Sequence, residues 1–112
     1  MKQDEQRYNG WTNYETWVTA LWLDNEQATQ DYWREVARMC RADGRAALEA
    51  NKTISTVDQA ARLFLVERLQ EEVAETTPLT DKSSLYADLL GAALERVNWY
   101  EIADHWLENL DD

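Results

Sequence analysis

One cysteine, one histidine, one proline and three glycines occur in 112 residues, and each shortage removes a class of protein. Cys40 alone can form neither an internal disulfide nor a cysteine-based zinc site, which fits a reducing cytoplasm. So few glycines and prolines leave too few tight turns for a β-rich chain, so a mostly helical one is expected. There is no GxxxxGKS/T loop, no GxGxxG, no EF-hand spacing and no nucleophile in a glycine-rich elbow. Glu101 and His105 stand at i, i+4 and could share a metal, but nothing identifies further ligands, and His105 is expected at a helix rim. No enzyme, no metal and no cofactor is the expectation. The opening MKQDEQRYNG lacks the apolar centre of a signal peptide, and no apolar run approaches the length of a membrane span.

Basic residues are also scarce. Against 22 acids stand 11 bases, a net charge of −11 and a pI near 4.4. That balance opposes direct binding of nucleic acid or an anionic membrane, and favours a basic partner or simple solubility. The imbalance is uneven, since residues 67–112 hold twelve acids and three bases.

What the chain has in quantity is apolar and aromatic material: 45% hydrophobic residues, with six Trp and five Tyr. This suffices for the core of one domain, and 112 residues leave no room for a second. In TNYE, Thr12 as cap and Glu15 reaching back predict a helix start. Tyr14, Trp17, Val18, Leu21 and Trp22 follow at i, i+3, i+4, i+7 and i+8, the inward face of that helix. A second helix is predicted over 27–43, with Trp33, Val36, Ala37 and Cys40 inward and Gly44 as its stop. Thr56 and Gln59 cap a third that ends at Pro78; its run Leu63–Val66 is apolar all round and marks the centre of the fold. A fourth, over 83–97, should bury Leu85, Leu89, Ala92, Ala93 and Val97, with Gly91 admitting a close neighbour. Asn98 and Glu101 open a fifth, with Trp99, Ile102, Ala103, Trp106, Leu107 and Leu110 inward. The expected architecture is all-α, a compact single-domain bundle of about five helices with residues 1–10 as a flexible arm.

Three features could carry function. Acids at helical spacing form two rows, Glu67, Glu71 and Glu75 with the neighbouring Glu72, and Glu101, Asp104, Glu108 and Asp111. Four residues rise ~6 Å along a helix, whereas a DNA strand carries a charge every ~3.4 Å, so only two rows together approach a duplex edge. Solvated helix faces explain either row alone. Arg34, Arg38, Arg41 and Arg45 fall on one line if the second helix outlasts Gly44. They could hold an anion, or the acids of a second copy in a homodimer, or pair within the chain. Trp11 precedes the first cap with no staple partner, since the fourth helical position is Thr16; it either folds back over Tyr14 or Trp17 or anchors a partner.

The strings NGWTNYETWVTALWLDNE, followed by YWRE, and LYADLLGAALERVNWYEIADHWLE resemble a family of small acidic helical proteins carried by phages and plasmids, marked by TNYETW…LWL. The resemblance, joined to size and acidity, implies a protein of the bacterial host cytoplasm that binds and inhibits a host-defence nucleic-acid-binding protein. Such an anti-CRISPR or antirestriction factor would set its acidic rows in the basic groove of a restriction enzyme or CRISPR effector. The alternative is an accessory module that associates with itself or with another phage protein through an exposed aromatic surface.

Overall fold

The computed structural model describes residues 7–50, 56–76 and 84–110. Five helices run through them: α1 (Tyr14–Leu23), α2 (Gln27–Ala50), α3 (Val57–Thr76), α4 (Leu85–Glu95) and α5 (Trp99–Glu108). The all-α bundle is as expected. Among the described residues the sole β-type pairing is an isolated bridge between Tyr8 and Trp11.

The core lies where α2, α3 and α5 meet. The predicted stripe Trp33, Val36, Ala37 and Cys40 of α2 is buried, as are Trp99, Ile102, Ala103, Trp106 and Leu107 of α5. From α3 come Ala61, Leu65, Val66 and Leu69; Leu65, Leu69 and Ile102 are wholly enclosed, each worth about 1.5–3 kcal/mol of transfer free energy. Thr56 caps α3 by accepting the Gln59 N–H at 3.0 Å, as its sequence predicts. Pro78, the expected stop, lies outside the described residues. The run Leu63–Val66 divides, with Leu65 and Val66 buried, Phe64 half-buried and Leu63 facing solvent. A helix apolar all round needs neighbours on every side, and α3 has them on the sides of α2 and α5.

Gly44 does not end α2. The helix continues to Ala50, and Gly44 is buried within it. A Cβ there would lie 2.9 Å from the Val57 carbonyl oxygen and 3.1 Å from the Ala61 nitrogen. The glycine is required by the close approach of the first turn of α3, not by a left-handed cap.

α4 departs furthest from expectation. Ser84 caps it, accepting the Ala87 N–H at 3.1 Å, but no residue of the helix is buried. Leu85, Tyr86, Leu89 and Ala92 face solvent, Ala93 and Leu94 are half-buried, and of the predicted inward set Val97 alone, beyond the helix end, is buried. Among the described residues nothing lies within 4 Å of a Cβ placed at Gly91, so the close neighbour expected there is not found. The helix has its apolar stripe, but α2, α3 and α5 already close the core without it.

The predicted face of α1 is also reversed. Thr16 and Ala20 point inward, while Tyr14, Leu21 and Trp22 face solvent and Trp17 and Val18 are half-buried. All of α1 except Glu15, Thr16 and Thr19 is apolar, so periodicity alone cannot choose its inner side. Polar contacts choose it. The cap of α1 is Asn13, not Thr12: Asn13 Oδ1 accepts the Thr16 N–H at 2.9 Å and the Thr16 hydroxyl at 2.6 Å. That hydroxyl in turn accepts the Asn98 N–H at 2.8 Å. Asn98 caps α5 through the Glu101 N–H at 3.1 Å and donates to the Thr12 hydroxyl at 3.1 Å. Glu101 takes the Thr12 N–H at 2.9 Å, and Asn13 donates to the Arg96 carbonyl at 2.8 Å. Glu15, predicted to close the capping box, instead pairs with Arg96 at 3.3 Å. Each helix start is thus tied to the other, with Asn13 as the cap of α1 and Thr12 turned to Asn98 and Glu101 at the start of α5.

Gly44→Ala should cost about 1–3 kcal/mol, because the added methyl meets backbone that must move, whereas Gly91→Ala should raise the helicity of α4 and stabilise by up to ~1 kcal/mol. Urea unfolding followed by circular dichroism measures both. Thr16→Val keeps the shape but leaves the Asn98 N–H and Asn13 Oδ1 short of a partner, and should cost about 1–3 kcal/mol in the same assay; an unchanged midpoint would show that the clasp does not hold α1.

Candidate protein-binding surface

Before α1 the chain makes a two-residue turn. Asn9 (φ +48°) and Gly10 (φ +89°) both lie in the left-handed region, the combination a type I′ turn demands and Asn-Gly supplies. Tyr8 and Trp11 exchange N–H···O bonds of 2.8 Å each across it, and the Arg7 guanidinium donates to the Gly10 carbonyl. The turn's two aromatics pack on different helices. Tyr8 lies on α1, edge-on to Tyr14 at 5.2 Å and 4.8 Å from Trp17. Trp11 folds back on the core, edge-on to His105 at 5.4 Å and half-buried. It packs on α5 instead of Tyr14 or Trp17.

The outward side of α1 is therefore a continuous aromatic face: Tyr8, Tyr14, Leu21 and Trp22 exposed, with Trp17 and Val18 half-buried between them. Trp22 keeps 66% of its surface in water. Single exposed hydrophobics are commonplace, whereas a contiguous apolar patch is a candidate interaction surface. The sequence carries this set at the right spacing; its sidedness was hidden until the cap contacts fixed Thr16 inward.

The acidic rows have different fates. Glu67, Glu71 and Glu75 are exposed along α3. Glu72 turns to α2, where it accepts the Tyr32 hydroxyl and, at 2.8 Å, the Arg68 guanidinium. Burial pushes the Glu72 carboxyl up, but these donated bonds outweigh it and hold the group below its ordinary range. The same hydrogen bond to Glu72, with burial, pushes the Tyr32 phenol up. On α5, Glu101 is committed to Thr12 and lies 3.5 Å from Arg7, and Asp104 pairs with Arg62 at 3.0 Å. Glu108 is exposed, and Asp111 lies outside the described residues. The second row is thus largely engaged by its own chain.

Since α2 outlasts Gly44, the four arginines do share one helix. Arg34 pairs with Asp31 and Arg38 with Glu35, each at 3.3 Å and solvent-screened. Arg41 donates to the Leu107 carbonyl at 2.9 Å, serving the end of α5, where carbonyls lack helical partners. Arg45 is exposed.

Two cavities meet between the turn, α1 and α5. One of about 310 Å³ is lined by Gly10, Trp11, Glu101, Asp104, His105 and Glu108. A smaller one of about 160 Å³ is lined by Trp11, Trp17, Ala20, Leu21, Asp24 and His105. Both are lined by Trp11 and His105, and the smaller reaches Leu21 of the aromatic face. A third cavity of about 520 Å³, on the other flank of α5, mixes Arg41 and Arg62 with Asp58, Asp104 and Glu108. Among the described residues no three or more His, Cys, Asp or Glu are placed to hold a metal ion. Cys40 is buried, and that burial pushes its thiol up, away from the reactive thiolate. No helix among the described residues is long and apolar enough to cross a membrane.

These features define an all-α protein whose first helix presents aromatic side chains outward beside a carboxylate-flanked groove. Residues 4–105 match a family of unknown function (DUF7249), and the chain belongs to that family. No curated protein and no solved structure matches it significantly.

Because the Glu72 carboxyl is held low in the fold, its stabilisation is complete above the unfolded value of about 4.3 and is lost as pH falls through the lower folded value. The raised Tyr32 phenol contributes below its ordinary value of about 10 and ceases to as pH rises through the folded one. Urea midpoints at pH 6 and pH 3 should therefore differ less in Glu72→Gln than in the parent chain.

Proposed function

We propose that the protein acts by binding another protein, non-enzymatically, and that the partner docks on the aromatic face of α1. The observation that carries this reading is the outward exposure of Tyr14, Leu21 and Trp22, extended by Tyr8, on a helix that buries a threonine instead. Tyrosine and tryptophan are the side chains on which tight interfaces most often rest, while surface charge steers approach. A net charge of −11 favours a partner with a basic surface. Joined to the resemblance to proteins of phages and plasmids, this gives the biological form: an inhibitor of a host-defence nucleic-acid-binding protein, of the restriction or CRISPR kind, acting in the bacterial cytoplasm. A purely acidic, nucleic-acid-like contact is the second reading, favoured by exposed Glu67, Glu71 and Glu75. It is weakened by Glu72, Glu101 and Asp104, whose carboxylates face their own chain's donors.

Capture from host lysate with tagged protein separates the two, washing at about 0.1 M and about 0.5 M salt. Leu21→Ser/Trp22→Ser should lose the partner at both salts, and Glu67→Lys/Glu71→Lys/Glu75→Lys should still hold it at the higher one. The reverse pattern, with circular dichroism showing both variants folded, would transfer the function to the acidic row.

A further inference from the structure

The groove beside the aromatic face has a chemistry of its own. Glu101, Asp104, His105 and Glu108 fall at i, i+3, i+4 and i+7, one side of α5, and form its floor and rim. Trp11 lines this cavity and its smaller neighbour, which Trp17, Leu21 and Asp24 also line. Glu101, Asp104 and Glu108 thus line one cavity with Trp11, and Asp24 lines its neighbour with Trp11 and Trp17; among the described residues neither lining includes Lys or Arg, while Arg7 reaches Glu101 and Arg62 pairs with Asp104 from outside. Of the four, Asp24 and Glu108 are exposed.

We infer that this groove receives an arginine-bearing segment of the partner protein, one guanidinium entering between Trp11 and Glu108 while the segment's apolar neighbours continue onto Leu21 and Trp22. The inference rests on the reading of α1 as the docking face and names what lies beside it. Charge complementarity selects a cation, and the geometry selects arginine over lysine: a planar guanidinium can stack on an indole and offer paired donors to a carboxylate at once. The chain itself shows the fit. Arg7 reaches the same rim, 3.5 Å from Glu101 while donating to the Gly10 carbonyl, and Arg62 pairs with Asp104 from the other flank with its guanidinium 4.8 Å from the centre of the Tyr100 ring. Both internal arginines use the combination of acid with carbonyl or aromatic ring that the groove extends outward through Asp24 and Glu108.

A capped hexapeptide alternating arginine and leucine is the probe, with its lysine and its neutral citrulline counterparts as controls, titrated into the isotope-labelled full chain and followed by NMR. The arginine peptide should bind about tenfold more tightly than the citrulline peptide and measurably more tightly than the lysine one, shifting the Trp11 indole N–H and the Glu108 amide. Asp24→Asn/Glu108→Gln, which touches no hydrogen bond of the cap clasp, should lower that affinity about fivefold or more. Equal binding of the citrulline or lysine peptide, affinity unchanged in the double variant, or shifts centred on Glu67, Glu71 and Glu75 would each overturn the inference. A peptide that fails while Leu21→Ser/Trp22→Ser still loses its partner in lysate sinks the groove and spares the α1 face. Peptide binding that survives while the α1 variant captures as well as the parent does the opposite.

Discussion

The hydroxyl of Thr16 decides which way the first helix faces. It is wholly buried, donates to the cap of its own helix and accepts from the backbone that opens α5. A hydroxyl so enclosed must keep both bonds or lose more than a neutral hydrogen bond contributes. That constraint outweighs what hydrophobicity alone prefers, namely Trp17 or Trp22 inward and Thr16 out. It also ties residue 16 to residue 98, so that the first and last helices begin at the same point and cap each other. The turn at Asn9–Gly10, the placement of Trp11 on His105 and the outward set of α1 all follow from where that point holds the chain.

How much of this could be read from the sequence depends on how many answers each pattern allows. The stripes Trp33–Cys40 and Trp99–Leu107 alternate apolar with charged residues, so each has a single possible inner side, and each is buried as predicted. α1 is apolar on nearly every side, and its inner side is set by a hydrogen bond to a residue 82 positions away. No local pattern encodes that. Asn13 was next to the predicted cap, but the engagement of Thr12 with Asn98, which displaces the cap by one residue, is again long-range. Gly44 read as a stop because the commonest use of glycine near a helix end is a left-handed cap. Its use here depends on the backbone of α3, which the sequence around it does not mention. α4 carries a sound amphipathic pattern, yet among the described residues only Leu94 of it packs against the core, and pattern alone predicts a face, never its cover.

The candidate surface was legible in its parts and not in its assembly. Trp11 stood out for lacking a staple partner, and Glu101, Asp104 and Glu108 for their spacing; that they line one cavity with His105 needed the fold. Counting acids overstated what the surface offers. A carboxylate that accepts a backbone N–H or an arginine is already neutralised in part, and Glu72, Glu101 and Asp104 are of this kind. The exposed acids are fewer and divide between the α3 row and the mouth of the groove. Net charge survives this accounting, because long-range steering depends on the sum, whereas close contact depends on which groups remain accessible.

The clasp and the surface are two consequences of one arrangement. The helices held by apolar packing bury large side chains, as α2 buries Trp33 and α5 buries Trp99 and Trp106. α1 buries only Thr16 and Ala20 fully, packs Leu23 against the core, and is tied to α5 by the hydrogen bonds of Thr16 and Asn13. Tyr14, Leu21 and Trp22 are thereby left on the outside, with Trp17 half-buried. On the proposed reading rigid presentation matters, since an aromatic already held in place loses less freedom on binding than one that must be ordered first. Tyr8 adds to this by bracing Tyr14 and Trp17 from the turn. The TNYET segment therefore serves the surface indirectly: its polar residues fasten the helix so that the aromatic ones need not.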